Sequence, residues 1–460
     1  MTPGDAPEAD HHALHLTWTE ARETAARAAG PIPPSDVPLA ASVGRTLAED
    51  VTALRDMPHY ASSAMDGWAV RGTGPWVLAE TGERLAAHEA STIVTGGDLP
   101  PGTSAVLRRE HGEVAPDEDG LPHLRLAAGA PPGSPRGGAD IRPAGEEARA
   151  GEVLVPAGTV LTPAHVALAA LAGYDGLTVT GRPLVRLVRT GGEVVESGLP
   201  GPGLVRDVFS HLVPPLLAAY GGILAGHDRI GDDAGEWAAA LADVPQGPES
   251  AGADDAGHGA AVGAPADVVV TTGGTGRGGS DHLRGIVADM GGRILVDGVA
   301  MRPGHPTVLA ELPDGRFVLG LPGNPLAAIV GLVAVGEPLL AALSGREPLT
   351  AVELPSGEAF EADPRRTRIV PFRRVYGMAS PRSGTGSGML RGLAAADGLM
   401  VVPPHGVELG EPVACLPLPW GRPLVEPGAG GARKGRGQSR GGSRGSSGSK
   451  DPVDWSALDV

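Results

Sequence analysis

The sequence predicts a multidomain protein of the α/β plus β class, in which a doubly wound α/β domain lies between two β-rich regions. Three observations predict this class. The 460 residues are enough for roughly two to four domains. Buried-type strands alternate with helical segments in the middle of the chain, which is typical of a parallel sheet covered by helices. Short strands interrupted by Gly and Pro precede and follow that middle region.

The N-terminal region is predicted to contain one amphipathic helix and a small β-rich domain. Residues 17–30 have helical spacing, with Thr17 or Thr19 at the start and Gly30 at the end. Residues 36–56 indicate a short helix or turn and then an extended segment. Short strands over 69–126 predict a small β-rich domain within 46–140. Residues 141–180 then indicate strands around a helix at 163–172.

The middle of the chain, residues 181–335, contains the elements expected of the α/β domain. Predicted strands cover 184–190, 267–272 and 317–321, and predicted helices cover 203–220 and 280–290. Pro214 and Pro215 are expected to kink or break the first of these helices. Residues 244–264 are rich in Gly, Ala, Pro and acidic residues and indicate an insertion.

Residues 345–425 return to a strand pattern and predict a separate small β domain. From residue 426 to 460 the composition is rich in Gly, Ser and Arg, which predicts a disordered tail. Its basic residues are compatible with nucleic-acid contact, but a solvated tail is the favoured interpretation. The long apolar stretch 325–343 contains Glu337 and Pro338, which favours a buried helix followed by a linker over a membrane span.

Composition and charge exclude several classes of protein. The net charge of −17 lacks the basic footprint of a nucleic-acid-binding domain. The single cysteine, Cys415, excludes an intramolecular disulfide and a Cys-rich zinc or iron–sulfur site. The first residues lack the basic-then-apolar pattern of a signal peptide, so a cytoplasmic location is expected.

The most informative motif is LPGNP, which follows the predicted strand 317–321. Pro322 and Pro325 each remove a backbone donor and fix φ. Gly323 permits a close approach of the backbone, and Asn324 can bond the turn or a ligand. A rigid turn after a strand of an α/β sheet is a natural binding site.

Three acidic residues follow predicted strands or turns of the α/β domain. They are Glu193 in RTGGE, Asp232 after ILAGHDRI, and Asp281 after the Gly-rich segment TTGGTGRGG. Each has an ordinary interpretation, as a surface acid or as a helix cap. If they share the carboxyl edge of one sheet, the convergence of three carboxylates predicts a cation site, with Mg²⁺ and phosphate as the usual occupants.

The Gly-rich segment and the RPGHP turn indicate anion binding. Gly274, Gly276 and Gly279 fit a weak dinucleotide signature, which leaves a nucleotide-dependent oxidoreductase as a minor alternative. The simpler interpretation is a cradle of N–H groups at a helix start, formed by Gly273 and Gly274. Arg302 and His305 lie on a Pro-Gly turn, where Arg suits contact with an oxyanion and a solvated turn is equally expected.

Two further motifs precede the α/β domain. Asp66 lies in SAMDGWAV, where an Asp-Gly turn is the ordinary interpretation. Thr95 lies in IVTGGDLPPG, where its hydroxyl and the neighbouring N–H groups can bind a phosphate. The histidines His11, His12 and His15 are expected in a frayed terminus, so a metal site there is not favoured.

Taken in order, these motifs resemble the molybdopterin molybdenumtransferase family, called MoeA in bacteria and the E domain of gephyrin in animals. The ordered set is SAMDG, TGG-x-LP-x-G, a G-E-(D/E) position near residue 145, TG-x-E, GG-x(6)-D, RPG-x-P and LPGNP, and the similarity covers about residues 13–420. The resemblance implies an elongated homodimer of four-domain subunits, in which 13–45 with 141–180 form a linker and dimerisation domain and 345–425 form a β barrel.

The resemblance also implies an activity. Family members insert molybdenum from molybdate into adenylyl-molybdopterin, releasing AMP and the molybdenum cofactor, and they use Mg²⁺. The implied partners are the enzyme that supplies the adenylylated substrate and the molybdoenzymes that accept the product, with no membrane and no nucleic acid. Matching functional positions are Asp66, Thr95, Glu193, Asp232, Asp281, Pro322 and Pro325, together with Arg374 and Ser387 in the last domain.

Several positions depart from the family pattern. Gly192 replaces an Asp, and Asp207-Val208-Phe209 replaces a polar triplet that ends in Asn. A lysine expected near Gly298 is absent, and Arg302 and His305 stand at two further lysine positions. Arg302 keeps the charge with another geometry, whereas His305 is only partly charged near neutral pH. The sequence therefore leaves open a non-catalytic carrier of molybdopterin or its cofactor as the alternative.

Overall fold

The computed structural model describes residues 15–116, 120–242, 265–276 and 282–424. The predicted insertion at 244–264, Asp281 and the tail at 426–460 lie outside these residues.

The first region contains a helix, a six-stranded sheet and a second helix. Its elements are α1 (Trp18–Ala28), β1 (Ser35–Pro38), β2 (Val51–Thr52), β3 (Ser62–Ser63), β4 (Gly67–Val70), β5 (Trp76–Leu78), β6 (Glu89–Ile93), β7 (Ala105–Arg108), β8 (Gly112–Pro116), β9 (Pro122–Leu126), β10 (Ile141–Arg142), β11 (Val153–Val155), α2 (Pro163–Ala172) and β12 (Gly176–Val179). Strands β4 to β9 form the sheet, in the order β7-β4-β6-β5-β9-β8. Strand β1 pairs antiparallel with β12, which joins two distant segments of the chain.

Helix α1 forms where the sequence predicts it, because its first turn is capped. The Thr17 hydroxyl accepts from the Glu20 N–H over 3.3 Å, and the Glu20 carboxylate accepts from the Thr17 N–H over 2.8 Å. Trp18, Ala21 and Ala25 lie on one face and are buried. That face packs into the core of the following α/β region.

The middle region is a sheet with helices on both faces. Its elements are β13 (Leu184–Thr190), β14 (Val194–Val195), β15 (Val205–Arg206), α3 (Phe209–Ala219), β16 (Ile223–Ile230), α4 (Ala234–Ala242), β17 (Val268–Thr272), α5 (Leu283–Asp289), β18 (Arg293–Asp297), β19 (Met301–Arg302), β20 (Val308–Glu311), β21 (Phe317–Leu321), α6 (Pro325–Gly331) and α7 (Glu337–Leu343). The sheet order is β16-β13-β17-β21-β20-β18, in which the first four strands are parallel, β20 pairs antiparallel with β21, and β18 pairs antiparallel with β20. Helices α1, α3, α6 and α7 cover one face, and α4 and α5 cover the other. The predicted doubly wound α/β domain is confirmed.

Helix α3 contains both prolines at which the sequence predicts a kink or a break, and the helix is not broken there. Pro214 and Pro215 lie inside the helix, which continues to Ala219. The two prolines remove two backbone donors. Burial of Val213, Leu216 and neighbouring apolar side chains in the core offsets that loss.

Residues 325–343 form one buried helical rod, which confirms the predicted buried helix, whereas no linker follows it within this stretch. A π-helical turn, Leu332–Gly336, joins α6 to α7. Pro338 has no N–H to donate to the preceding turn, and Arg22 donates to Val333 O over 2.6 Å. Among the described residues, this rod is the helix long and apolar enough to cross a membrane, but 94% of it is buried inside the fold.

The last region is a small antiparallel barrel. Its elements are β22 (Val352–Pro355), β23 (Thr367–Val375), β24 (Met378–Pro381), α8 (Arg391–Ala394), β25 (Gly398–Val402) and β26 (Pro412–Pro417). The strands pair in the order β23-β25-β26-β22, and β24 pairs with the other edge of β23. A bridge between Ser356 and Ala379 links β22 to β24 and completes the ring. The short strand β19 of the α/β region also pairs with β23.

Candidate functional site

The carboxyl ends of four parallel strands lie side by side at one edge of the α/β sheet. Strands β16, β13, β17 and β21 end at Ile230, Thr190, Thr272 and Leu321. Thr190 pairs with Ile230, and Thr272 pairs with Leu321, so the turns leave the sheet at similar levels. Ligands of open α/β sheets bind at this kind of edge. We refer to it below as the carboxyl edge.

Gly273 brings the turns after three of these strands together. Its φ is +108°, and a Cβ there would lie 2.5 Å from Thr190 Oγ1. The Gly273 N–H donates to Leu321 O over 2.7 Å, and the Thr190 hydroxyl donates to Thr272 O over 2.7 Å. A Cβ on Gly323 would lie 3.9 Å from Gly273 Cα. Glycine is therefore required at 273 for both conformation and space.

Gly274 is required for a different reason. Its φ is +64°, and a Cβ there would lie 2.3 Å from the ring of Trp237, which is buried in α4. The close approach lets the indole pack beneath the Gly-rich turn. Residues 277–281 of that turn lie outside the described part of the chain, so the predicted anion cradle stays a prediction.

The LPGNP turn follows β21 as the sequence predicts. Pro322 is buried, whereas Gly323 and Asn324 are exposed. Asn324 is the residue before α6, its side chain makes no capping hydrogen bond, and Pro325 begins the helix. The Asn324 amide is therefore presented to solvent at the carboxyl edge.

The barrel reaches this turn through the loop between β24 and α8. The carbonyl of Ser387 accepts from the Leu326 N–H over 2.9 Å and from the Ala327 N–H over 3.2 Å. These are two of the unpaired donors at the start of α6. A Cβ on Gly388 would lie 3.4 Å from Asn324 Oδ1. The structure thus places Ser387 next to LPGNP, although the two are more than 60 residues apart in sequence.

Arg374 lies in β23 of the same barrel, and its backbone is held firmly. Its N–H donates to the buried Asp397 carboxylate over 2.8 Å, and its carbonyl accepts from Arg422 Nη2 over 2.9 Å. Burial raises the pKa of Asp397, but hydrogen bonds from Arg422 and from the Arg374 N–H outweigh it, so this pKa lies below its ordinary value. Asp397 therefore stays ionised and anchors this part of the barrel.

The structure separates the acidic residues that follow β16. The Asp233 carboxylate caps α4 by accepting from the N–H groups of Gly235 and Glu236, over 2.8 and 3.1 Å. The neighbouring Asp232 is exposed and makes no side-chain hydrogen bond within the described residues. Asp233 is therefore structural, and Asp232 remains available to a ligand.

Glu193 follows the neighbouring strand, β13. Its carboxylate folds back over Gly191, where a Cβ would lie 2.6 Å from Glu193 Oε2. It is exposed, and none of the described residues donates to that carboxylate. Glu193 and Asp232 thus leave adjacent strands at the carboxyl edge.

The predicted three-carboxylate cluster also needs Asp281, which lies outside the described residues. Within residues 15–116, 120–242, 265–276 and 282–424, no group of three or more His, Cys, Asp or Glu side chains is placed to hold a metal ion. The metal assignment to Glu193, Asp232 and Asp281 therefore stays a prediction.

The RPGHP turn packs between the barrel and α6. Arg302 is exposed on β19, beside β23. Gly304 is buried with φ +100°, and a Cβ there would lie 3.2 Å from Ala327 O. The Nδ1–H of His305 donates to Val299 O over 2.8 Å. The turn is therefore rigid, and it lies against the helix that begins at LPGNP.

His15 was expected in a frayed terminus, and that expectation is wrong. Its Nδ1–H donates to Asp297 O over 2.9 Å, and its ring lies edge-on to the ring of His305, with centroids 4.5 Å apart. His11 and His12 lie outside the described residues. No local sequence pattern signals the contact, because almost 300 residues separate the two partners.

Asp66 and Thr95 lie together in the small β-rich region. One Asp66 carboxylate oxygen accepts from the Thr95 N–H over 2.7 Å and from its hydroxyl over 2.9 Å. These two bonds, in that order, hold the pKa of Asp66 below its ordinary value. Gly67 is required beside them, because a Cβ would lie 2.0 Å from Leu107 O. Within the described residues, the hydrogen bonds of this pair stay inside that region and do not reach the carboxyl edge.

A buried ion pair near the carboxyl edge was missed by the sequence analysis. Arg189 donates to Asp207 over 2.6 Å and to Glu196 over 3.2 Å. Asp207 also caps α3 by accepting from the N–H groups of Phe209 and Ser210. Burial raises the pKa of Asp207, but hydrogen bonds from Ser210 and Arg189 outweigh the effect of burial, so this pKa lies below its ordinary value. An Arg inside a buried-type strand was the available signal, since such a charge needs a partner.

Comparisons with known proteins identify relatives of this chain. Three family models match the chain in order: "MoeA N-terminal region (domain I and II)" over residues 16–173, "Probable molybdopterin binding domain" over 186–342 and "MoeA C-terminal region (domain IV)" over 353–418. Molybdopterin molybdenumtransferase 2 of Mycobacterium tuberculosis is 29% identical over 411 residues, covering 82% of this chain and 92% of the relative. Molybdopterin molybdenumtransferase of Bacillus subtilis is 29% identical over 324 residues, covering 66% and 69%.

Solved structures show the same fold. A molybdopterin biosynthesis moeA protein from Pyrococcus horikoshii superposes with a TM-score of 0.67 at 24% identity, covering 88% of this chain and 99% of that structure. A second structure of that description gives a TM-score of 0.62 at 22% identity. The ordered family regions, the shared fold and the motifs gathered at the carboxyl edge place this chain in the MoeA family of molybdopterin molybdenumtransferases.

Proposed function

We propose that this protein transfers molybdenum from molybdate to adenylyl-molybdopterin and releases AMP. The observation that carries the proposal is the carboxyl edge itself, where Glu193, Asp232, Gly273 and the LPGNP turn leave neighbouring parallel strands. The relatives named above carry the name of this transferase. A crevice at such an edge suits a phosphorylated ligand.

We propose Mg²⁺ as the cation of this site. Glu193 and Asp232 offer exposed carboxylates without protein donors among the described residues, and carboxylate oxygens are the ligands that Mg²⁺ prefers. Asp281 is proposed as the third member of the set. When bound, the cation would neutralise charge on the pyrophosphate of the substrate. The protein side chains hold it at the edge and orient the phosphate between the strand ends.

Oxyanion binding is assigned to the surface where the barrel meets α6. Arg302 is exposed there and can donate two parallel hydrogen bonds to an oxyanion. Ser387 and Asn324 lie next to each other at the start of α6, and His305 is held in the turn that carries Arg302. Arg374 of strand β23 is proposed as a further member of the set.

We further propose that the active unit is a homodimer. Asp66 and Thr95 form an oriented pair, and Asp66 stays anionic because Thr95 donates to it twice. Within the described residues the hydrogen bonds of this pair stay inside the small β-rich region. In the proposed dimer, the partner subunit's Asp66 and the partner subunit's Thr95 complete the site.

The alternative is a non-catalytic carrier of molybdopterin or of the finished cofactor. The residues Gly298, Arg302 and His305 at expected lysine positions favour it, because two of the three lack a permanent charge. The retained acids Glu193 and Asp232 favour the enzyme. In either case we propose a cytoplasmic protein that exchanges its ligand with the enzyme that supplies it and with acceptor molybdoenzymes.

Turnover decides between these functions. Purified protein is incubated with adenylyl-molybdopterin, molybdate and Mg²⁺, and AMP is measured by chromatography. The proposed enzyme releases AMP only when molybdate and Mg²⁺ are both present. Tight binding of the pterin with no AMP release would establish the carrier instead. Light scattering on the same sample tests the dimer.

A further inference from the structure

The N-terminal segment before α1 lies along the RPGHP turn. Leu16 forms a parallel bridge with Val299, and its carbonyl accepts from the Ala300 N–H over 2.8 Å. The segment continues directly into α1, where Arg22 pairs with the buried Glu337 over 3.0 Å. The segment is thus attached to the RPGHP turn at Leu16 and to helix α7 at Arg22.

His15 occupies the space beside Gly298, where the family pattern leads one to expect a lysine. Gly298 has a φ of +85°, and a Cβ there would lie only 2.8 Å from His15 Nδ1. The same nitrogen donates to Asp297 O over 2.9 Å. A longer side chain at 298 would displace the imidazole and strain the backbone. The glycine and the histidine are therefore mutually dependent.

The imidazole of His15 also packs against His305. The two ring centroids are 4.5 Å apart, and the ring planes meet at 82°. On its other side, His305 is fixed to Val299 by two hydrogen bonds, Nδ1–H to Val299 O over 2.8 Å and Val299 N–H to His305 O over 2.9 Å. The His305 ring is thus held between the turn and the N-terminal segment.

We infer that His15 is a positioning residue, which holds the His305 ring in place for binding of the molybdate oxyanion. This inference rests on the proposed function and deepens it. A preorganised ring loses less freedom when an anion binds, and that increases the affinity. An edge-to-face ring contact contributes enough to change the molybdate affinity by about three- to tenfold. Lysine at 305 would have a flexible stem and would gain little from the neighbouring ring.

A double-mutant cycle tests this inference through molybdate binding, measured by isothermal titration calorimetry with inorganic molybdate on the full chain. The proteins are wild type, His15→Ala, His305→Lys and the double variant. Thr162→Ala is the matched control, because it removes a helix cap of similar structural value in α2, remote from the turn. If His15→Ala does not fold, His15→Leu replaces it, since it keeps apolar bulk beside Gly298 but loses the ring that packs against His305 and the donor to Asp297 O.

We expect His15→Ala to weaken molybdate binding about three- to tenfold, and to change it less than about twofold in the His305→Lys background. Thr162→Ala should bind as the wild type does. The inference would be overturned by any of three results. His15→Ala could bind molybdate as the wild type does, or it could weaken binding equally in the wild-type and His305→Lys backgrounds. The third is that the wild type binds no molybdate. Binding by the wild type without AMP release would refute the proposed enzyme while leaving the role of His15 intact.

Discussion

Removing Arg189 tests whether the buried ion pair near the carboxyl edge holds the α/β region together. The side chains of Arg189 and Asp207 are 9% and 2% exposed, and their charged atoms are 2.6 Å apart. In Arg189→Met the apolar stem of the side chain is roughly kept, but the Asp207 carboxylate loses its charged partner and stays buried. Loss of one partner of a buried pair costs about 3–5 kcal/mol.

The structure indicates that the loss in the free energy of unfolding lies at the lower end of that range. Asp207 keeps two N–H donors from the start of α3, and these continue to stabilise its charge. The bond from Arg189 to Glu196 adds little, since that carboxylate is 59% exposed. We therefore expect Arg189→Met to lower the free energy of unfolding by about 3 kcal/mol. Adding Asp207→Asn removes the unpaired charge and keeps a good helix cap, so it should restore about 2 kcal/mol.

The losses in stability are measured by hydrogen exchange of peptides from β13 and α3, combined with urea unfolding. A local measurement is needed because a protein with several domains does not unfold in a single step. Arg186→Met is the matched control, because its partner Asp228 on the next strand is 31% exposed and can be hydrated. That control should lose only about 1 kcal/mol. Equal losses for the two single variants, or no recovery in Arg189→Met with Asp207→Asn, would refute the reasoning.

Three further predictions concern the site and the barrel. Asp281→Asn should fold normally and lose AMP release, because one proposed cation ligand becomes neutral; unchanged turnover would show that Asp281 binds no essential cation. Gly273→Ala should shift the turns at the carboxyl edge, since its Cβ would lie 2.5 Å from Thr190 Oγ1, and should weaken adenylyl-molybdopterin binding at least tenfold in a titration. The folded-state pKa of Asp397 is lowered, so the stability that it contributes is present above about pH 4 and is lost as the pH falls through the folded pKa. Acid unfolding of Arg422→Met should begin at a higher pH than in the wild type, and identical acid transitions would contradict this.

Local sequence patterns predicted the elements that form the carboxyl edge. Strand β13 and helix α2 have the predicted bounds, because a short apolar run and a Thr-capped, Gly-terminated helix are encoded by adjacent residues. The common direction of the parallel strands then brings Glu193, Asp232 and the LPGNP turn to one side. Those inferences need only the period of the pattern and the topology of a wound sheet.

Contacts between distant segments could not be predicted in that way. The pairing of Arg189 with Asp207 decides which acid is buried, yet nothing in the adjacent sequence distinguishes Asp207 from a surface acid. The position of the His15 ring depends on its contact with His305 in the RPGHP turn, which lies almost 300 residues later in the sequence. Pro214 and Pro215 do not break α3, because burial of one helix face outweighs the local cost of two missing donors. Tertiary packing overrides local preference in each case.

Two backbone donors at the start of α6, the N–H groups of Leu326 and Ala327, are satisfied by the Ser387 carbonyl of the barrel loop. If the barrel tilted away, the amides of Leu326 and Ala327 would become exposed at the same moment as the neighbouring Asn324. An anion could bind those amides only after the loop between β24 and α8, which carries Ser387, had moved away from α6. Anion binding at these two amides and the tilt of the barrel relative to α6 would therefore be coupled, so that a change in one shifts the equilibrium of the other.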